Sequence, residues 1–132
     1  MLSEEPDNRS IYWYWDEIGN TGKTSLAKHL CINFPNQILF VNGAGKDIKY
    51  AVSEFVANED NNLKMVIFYF TRSIENFISY EAIESVKDGI LFNNKYESKM
   101  CIFNCPHIIC FANFEPDYNT LSNDRWKVIK VD

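Results

Sequence analysis

Apolar residues are arranged along this chain in two alternating patterns. Ile11 to Trp15, Gln37 to Val41, Met65 to Phe70, His107 to Ala112 and Trp126 to Val131 are short runs that are apolar almost throughout. Continuous runs of this kind predict strands buried on both faces, as in a parallel sheet. Between them the apolar positions fall three and four apart. Leu26, Leu30 and Phe34, with Ala27 and Cys31 beside them, predict a helix from residue 23 to Phe34, stopped by Pro35. Ile48, Val52, Phe55 and Val56 predict a second helix over 47–57, and Tyr80, Ile83 and Val86 or Lys87 a third over 79–88, with Gly89 as its C-cap. Ile90-Leu91-Phe92 and Met100-Cys101-Ile102-Phe103 flank a polar stretch, so a β-hairpin-like excursion with Lys95, Tyr96 and Lys99 near its tip is expected there. Strands alternating with helices define an α/β class with a mainly parallel sheet. Residues 1–10 are polar and are expected to be a loose lead-in to a single domain over 1–132.

Composition narrows the class. The chain is 46% hydrophobic and 15% aromatic, enough to build a core and unlike a disordered tail. No apolar run reaches the length of a membrane span, and the acidic N-terminus lacks a signal core, so an intracellular protein with no membrane segment is expected. The net charge of −5 argues against a wholly basic nucleic-acid coat, though not against a local basic contact inside a channel. Cys101, Cys105, His107 and Cys110 lie close in sequence but lack the paired Cys-x-x-Cys spacing of a structural zinc site, and free core cysteine is the preferred reading.

The chemistry concentrates at the first strand–helix junction. Ile11 to Trp15 run into a polar turn containing Gly19-Asn20-Thr21-Gly22-Lys23-Thr24-Ser25, and a helix follows. Strand, glycine-bearing loop, Gly-Lys-Thr and helix form the layout of a phosphate-binding P-loop. Backbone N–H groups and the helix dipole would face phosphate oxygens. Lys23 would reach the β- and γ-phosphates of ATP, and the Thr24 hydroxyl would sit on Mg²⁺. The pattern departs from the full motif at Glu17, where glycine is expected. The alternative is a helix N-terminus that happens to read Gly-Lys-Thr. Asn42-Gly43-Ala44-Gly45-Lys46 resembles a second loop, but Asp47 follows where a hydroxyl is needed, so a turn and helix start are predicted there.

With the loop, the run Val66 to Phe70 followed by Thr71-Arg72-Ser73, and Pro106 to Phe114 in this order, the chain resembles the superfamily 3 helicase domain of replication initiator (Rep) proteins of circular single-stranded DNA viruses, in their nanovirus- and alphasatellite-like branch, and is similar to the helicases of small RNA viruses. The resemblance runs from about residue 9 to residue 131. It implies a three-layer P-loop NTPase of AAA+-like type, with a five-stranded sheet in the order 5-1-4-3-2 and a β-hairpin inserted before strand 4. It implies ATP and Mg²⁺ as cofactors, a homo-oligomeric ring (usually a hexamer), single-stranded DNA or RNA as partner, and the host nucleus as the location for a DNA-virus Rep. Gly19, Gly22, Lys23 and Thr24 match its phosphate loop, and Asn113 its sensor, which orients the attacking water or the γ-phosphate. Lys95 matches the basic residue of its channel hairpin, with Tyr96 and Lys99 beside it. Arg125 resembles the arginine finger that reaches a neighbour's ATP. The nicking-endonuclease domain that precedes the helicase in such proteins is expected to be absent here.

One departure bears on the reaction. The third strand of the family ends in an acidic residue that holds Mg²⁺, and Tyr69 stands at that position. Glu75, Glu81 and Glu84 follow beyond a loop, and Glu81 or Glu84 would have to fold back to replace it. A degenerate, non-hydrolysing nucleotide-binding module from a truncated or integrated gene is therefore a competing reading. A small P-loop kinase ranks lower, because its lid needs several arginines and this chain has only Arg9, Arg72 and Arg125. Plain structural roles also compete: Asn113 as a strand cap, Lys95 and Lys99 as a solvated tip, and Arg125 in a surface pair with Asp124 or Asp117.

Overall fold

The structure is a computed structural model that describes residues 4–19, 22–95 and 98–131. Five strands, β1 (Ile11–Trp15), β2 (Ile38–Val41), β3 (Met65–Phe70), β6 (His107–Ala112) and β7 (Trp126–Lys130), form one parallel sheet in the order β2-β3-β6-β1-β7. Counted as core strands, this is the expected order 5-1-4-3-2. β4 (Ile90–Asn93) and β5 (Lys99–Ile102) make a separate antiparallel pair, the inserted hairpin.

Helices cover both faces of the sheet, which is why its central strands read as unbroken apolar runs. On one face Ile11, Trp13, Val66, Phe68, Phe70, Ile108 and Cys110 pack with α2 (Gly45–Ala57) and α3 (Tyr80–Asp88). Trp13 is the centre of this layer. Its ring stacks on Phe70 at 5.4 Å and meets Trp126 edge-on at 5.8 Å, and its indole N–H donates to the Phe114 carbonyl at 2.8 Å. On the other face Met65, Ile67, Ile109 and Phe111 pack with Ala27, Leu30 and Cys31 of α1 (Lys23–Asn33).

That second layer corrects the expected face of α1. Leu26 and Phe34 are exposed, at 49% and 38%, while Lys23 and Ala27 are buried. Ala27, with Leu30 and Cys31, is the part of α1 that meets the sheet, and Leu26 lies off that face. α2 begins at Gly45, so the Asn42–Lys46 stretch is the turn and helix start expected of it. A short 3-10 turn, Arg72–Phe77, occupies the stretch between β3 and α3 where no element was predicted. α3 has the expected Gly89 C-cap, at φ 75°.

The hairpin packs inward through Leu91 and leaves its other face open. Ile90 opposite Ile102 and Phe92 opposite Met100 are between 50% and 69% exposed. Among the described residues, no helix is long and apolar enough to cross a membrane.

Candidate functional site

β1, β3 and β6 end side by side, and the loop after β1 lies over their carboxyl ends. Crevices of this kind are where open α/β sheets bind ligands. Gly22, at φ 88°, turns the chain into α1. That left-handed conformation strains any other residue, and a Cβ there would meet nothing within 4 Å, so the space in front of the helix is open. The first turn of α1 carries no acidic residue and no side-chain cap. By contrast, Ser79 caps α3, its hydroxyl accepting from the Ala82 N–H at 3.2 Å. Among the described residues the opening amides of α1 have no side-chain cap, as is also true of α2 behind Ala44, and a helix start of this kind can receive an anion.

Lys23 opens the helix, and its side chain is only 7% exposed. Its ammonium forms an ion pair with Asp16, the residue directly after β1. Asp16 is buried as well, and its other carboxylate oxygen accepts from the Asn113 side-chain amide at 2.8 Å. The parallel pairing of β1 with β6 aligns Trp15 with Ala112, so the residues that follow, Asp16 and Asn113, come together across 97 positions of sequence. Lys23, Asp16 and Asn113 thus form one polar cluster at the top of the sheet. The sequence reading singled out Lys23 and Asn113 and missed Asp16; an aspartate entering a turn looks like any other turn residue.

Arg72 was also missed. It follows β3, and its guanidinium donates to the carbonyls of Asn113 at 2.8 Å and Glu17 at 3.0 Å. It ties the loop after β1 to the end of β6. Trp15, Glu17, Arg72, Asn113, Phe114 and Glu115 line an adjoining cleft of about 490 Å³.

Thr24 and Ser25 are exposed at the start of α1. The Thr24 hydroxyl donates to the Tyr69 hydroxyl at 3.2 Å, so the side chain expected to face Mg²⁺ meets a neutral phenol at the end of β3. Glu81 and Glu84 do not fold back to fill that position. Glu81 accepts from Lys49 at 2.8 Å, and Glu84 lies 3.1 Å from the Arg125 guanidinium. Among the described residues no group of three His, Cys, Asp or Glu side chains could hold a metal. The residues therefore fit a polyphosphate well and give a metal little beyond Thr24. Gly19 lies in the loop at φ 86°; Asn20 and Thr21 lie outside the described residues.

The other candidates lie elsewhere. Arg125 is 4% exposed and bonds Asp88 at 2.7 Å in addition to Glu84. The competing reading, a surface pair of Arg125 with Asp124 or Asp117, gives way to this buried pairing with α3, and Arg9 takes Asp124, at 2.9 Å. Glu84 and Asp88, one turn apart on α3, draw the Arg125 guanidinium inward. Lys95 does not stand out from the hairpin tip but folds back onto α2, pairing with Asp47 and lying 5.3 Å over the Tyr50 ring. Lys99 is exposed on β5, and Tyr96 lies outside the described residues. Cys110 is fully buried in β6, and burial pushes its thiol well above the usual range, away from the thiolate a metal needs. The His107 ring nitrogen lies 3.0 Å from the Glu4 carbonyl.

An uncapped helix behind a left-handed glycine, opened by lysine at the carboxyl edge of a parallel sheet, defines the class as a P-loop-like three-layer α/β domain. Comparison with known proteins gives the relationship. The chain is 37% identical over 98% of its length to Para-Rep C6 of the Subterranean clover stunt C6 alphasatellite. It is 35% identical over 94% of its length to the master replication protein of Milk vetch dwarf virus, and 34% identical over 97% to that of Subterranean clover stunt virus. Its homologues are thus replication proteins of nanoviruses and alphasatellites. The chain spans about two fifths of the length of these relatives, 44%, 40% and 42% respectively. No family model matches it.

Proposed function

We propose that this chain is the ATP-binding, helicase-type domain of a viral replication initiator, acting on single-stranded DNA or RNA as a homo-oligomeric ring. The observation that carries this reading is the left-handed Gly22 before α1, with the buried Lys23 at the helix's first position, at the carboxyl edge of the parallel sheet. The similarity to replication proteins along nearly the whole chain supports the biological setting.

Each residue has a role that follows from its chemistry. The amides that open α1 donate to phosphate oxygens, and the helix dipole favours their charge. Lys23 adds a full positive charge in a nearly dry position, where charge acts more strongly than at an exposed one. The Asn113 amide, at the end of β6, orients a water or a terminal oxygen. Arg72 holds the loop carbonyl of Glu17 and thereby keeps the loop over the sheet. The Thr24 hydroxyl, now on the Tyr69 phenol, would hold Mg²⁺. When bound, ATP with Mg²⁺ supplies the phosphoryl group whose hydrolysis would drive movement along a strand.

One observation favours a second reading, in which the domain binds nucleotide and scarcely hydrolyses it. Thr24 meets Tyr69 where a carboxylate would be needed to fix Mg²⁺.

Calorimetric titration with ATP tests the binding site. Lys23→Met keeps the buried stem and removes the charge, and should weaken ATP at least tenfold, about 1.4 kcal/mol. Equal affinity for wild type and variant would refute this site.

A further inference from the structure

We propose that Asp16 is an internal competitor for the terminal phosphate of a nucleoside triphosphate, held in the site until nucleotide displaces it. The proposal rests on the nucleotide reading above. Its basis is the partner set of one buried carboxylate. Asp16 is 3% exposed, and its two oxygens are held by the Lys23 ammonium and the Asn113 amide. These are the two side chains that the phosphate reading assigns to an oxyanion. An ammonium and an amide N–H converging on paired anionic oxygens is a phosphate-type donor set, and here the chain supplies the anion itself.

The arrangement constrains binding. A carboxylate and a phosphoryl group cannot share this dry position without strong repulsion. Displacement can leave the backbone in place. The Asp16 N–H stays on the Ala112 carbonyl at 3.3 Å, and the next residue, Glu17, is held through its carbonyl by Arg72. Asp16 therefore stabilises the nucleotide-free site, by neutralising a buried lysine, and opposes the bound one. The opposition falls on the terminal phosphate, because that is the group Lys23 and Asn113 would receive.

The test is calorimetry with ATP, ADP and AMP on wild type and Asp16→Asn, with thermal unfolding of each protein with and without ATP. Asp16→Asn should bind ATP at least tenfold more tightly than wild type, with a smaller gain for ADP and none for AMP. Without nucleotide its unfolding temperature should fall below that of wild type, and saturating ATP should close the gap. ATP affinity that is unchanged or weaker in Asp16→Asn overturns the proposal and leaves the nucleotide site standing. So does an equal gain for ATP and ADP, which would mark a general charge effect. No ATP binding by either protein refutes the nucleotide reading itself, and this proposal with it. Asp16→Ser, which leaves an oxygen near Asn113, replaces Asp16→Asn should that variant fail to fold. Wild type alone gives a further check: ATP should bind it no more tightly than ADP, and a tenfold preference for ATP counts against an internal competitor.

Discussion

Tyr69 occupies the end of β3, half-buried beside α1, with its ring 6.1 Å from that of Phe40. Its phenol accepts from the Thr24 hydroxyl. A phenol is neutral near pH 7 and brings no charge to a metal. A carboxylate at this position would lie next to the hydroxyl read as the Mg²⁺ ligand. Tyr69→Asp should therefore raise steady-state phosphate release with Mg²⁺ and single-stranded DNA. A wild-type rate already near 1 s⁻¹ or above, as is typical of enzymes, that falls on Tyr69→Asp would mean that another group supplies the acid. Arg72 and Asp16 show that side chains outside the Gly-Lys-Thr motif shape this site as much as those within it.

At the scale of elements, the three helices start differently: α2 and α1 begin behind Ala44 and Gly22 with no side-chain cap, and α3 behind a capping serine. α3 is closed at both ends, by Ser79 at its start and Gly89 at its finish. A side-chain cap is worth about 1 kcal/mol to a helix; what sets the start of α1 apart from that of α2 is the left-handed Gly22 before it and the buried Lys23 at its first position. Gly89 illustrates how tightly the hairpin is joined to α3. A Cβ there would lie 2.2 Å from the Phe103 carbonyl oxygen, and the backbone is left-handed. The Phe103 N–H also bonds the Gly89 carbonyl at 2.9 Å. Gly89→Ala combines backbone strain with a clash and should cost upwards of about 2 kcal/mol. Urea unfolding measures it, and an unchanged midpoint would show that the hairpin is free to shift.

For the whole molecule, the proposed contact with a nucleic-acid strand would have to be made by a chain of net charge −5. Lys95 is held by Asp47, and the Lys95 hydrogen bond keeps that carboxyl below its usual range. Tyr50 lies beneath the ammonium. If the hairpin touches a strand, Lys95 must exchange Asp47 for a phosphate. Lys95→Ala should then weaken single-strand binding by the assembled protein and flatten its salt dependence by about one unit of slope. Asp47→Asn should strengthen binding, because it releases the lysine. Titrations at several salt concentrations read both effects, and no change in either variant would leave Lys95 as a bracket between hairpin and α2.

Local pattern decided much of this molecule. The buried strands, the three helices, the hairpin and the Gly-Lys-Thr junction are all legible, because backbone periodicity and turn chemistry act over a few residues. The resemblance supplied the sheet order, which local pattern leaves open. Only the tertiary structure decided which charges meet. Asp16 reaches Asn113 because β1 lies beside β6, and Arg72 reaches the loop because β3 ends at the same edge. Arg125 turned inward because two acids on α3 await it, and Leu26 lies outward because α1 meets the sheet through Ala27, Leu30 and Cys31 instead. These outcomes depend on residues brought together from distant parts of the chain, and a carboxylate or a guanidinium in a loop carries no local mark of the partner that folding will give it.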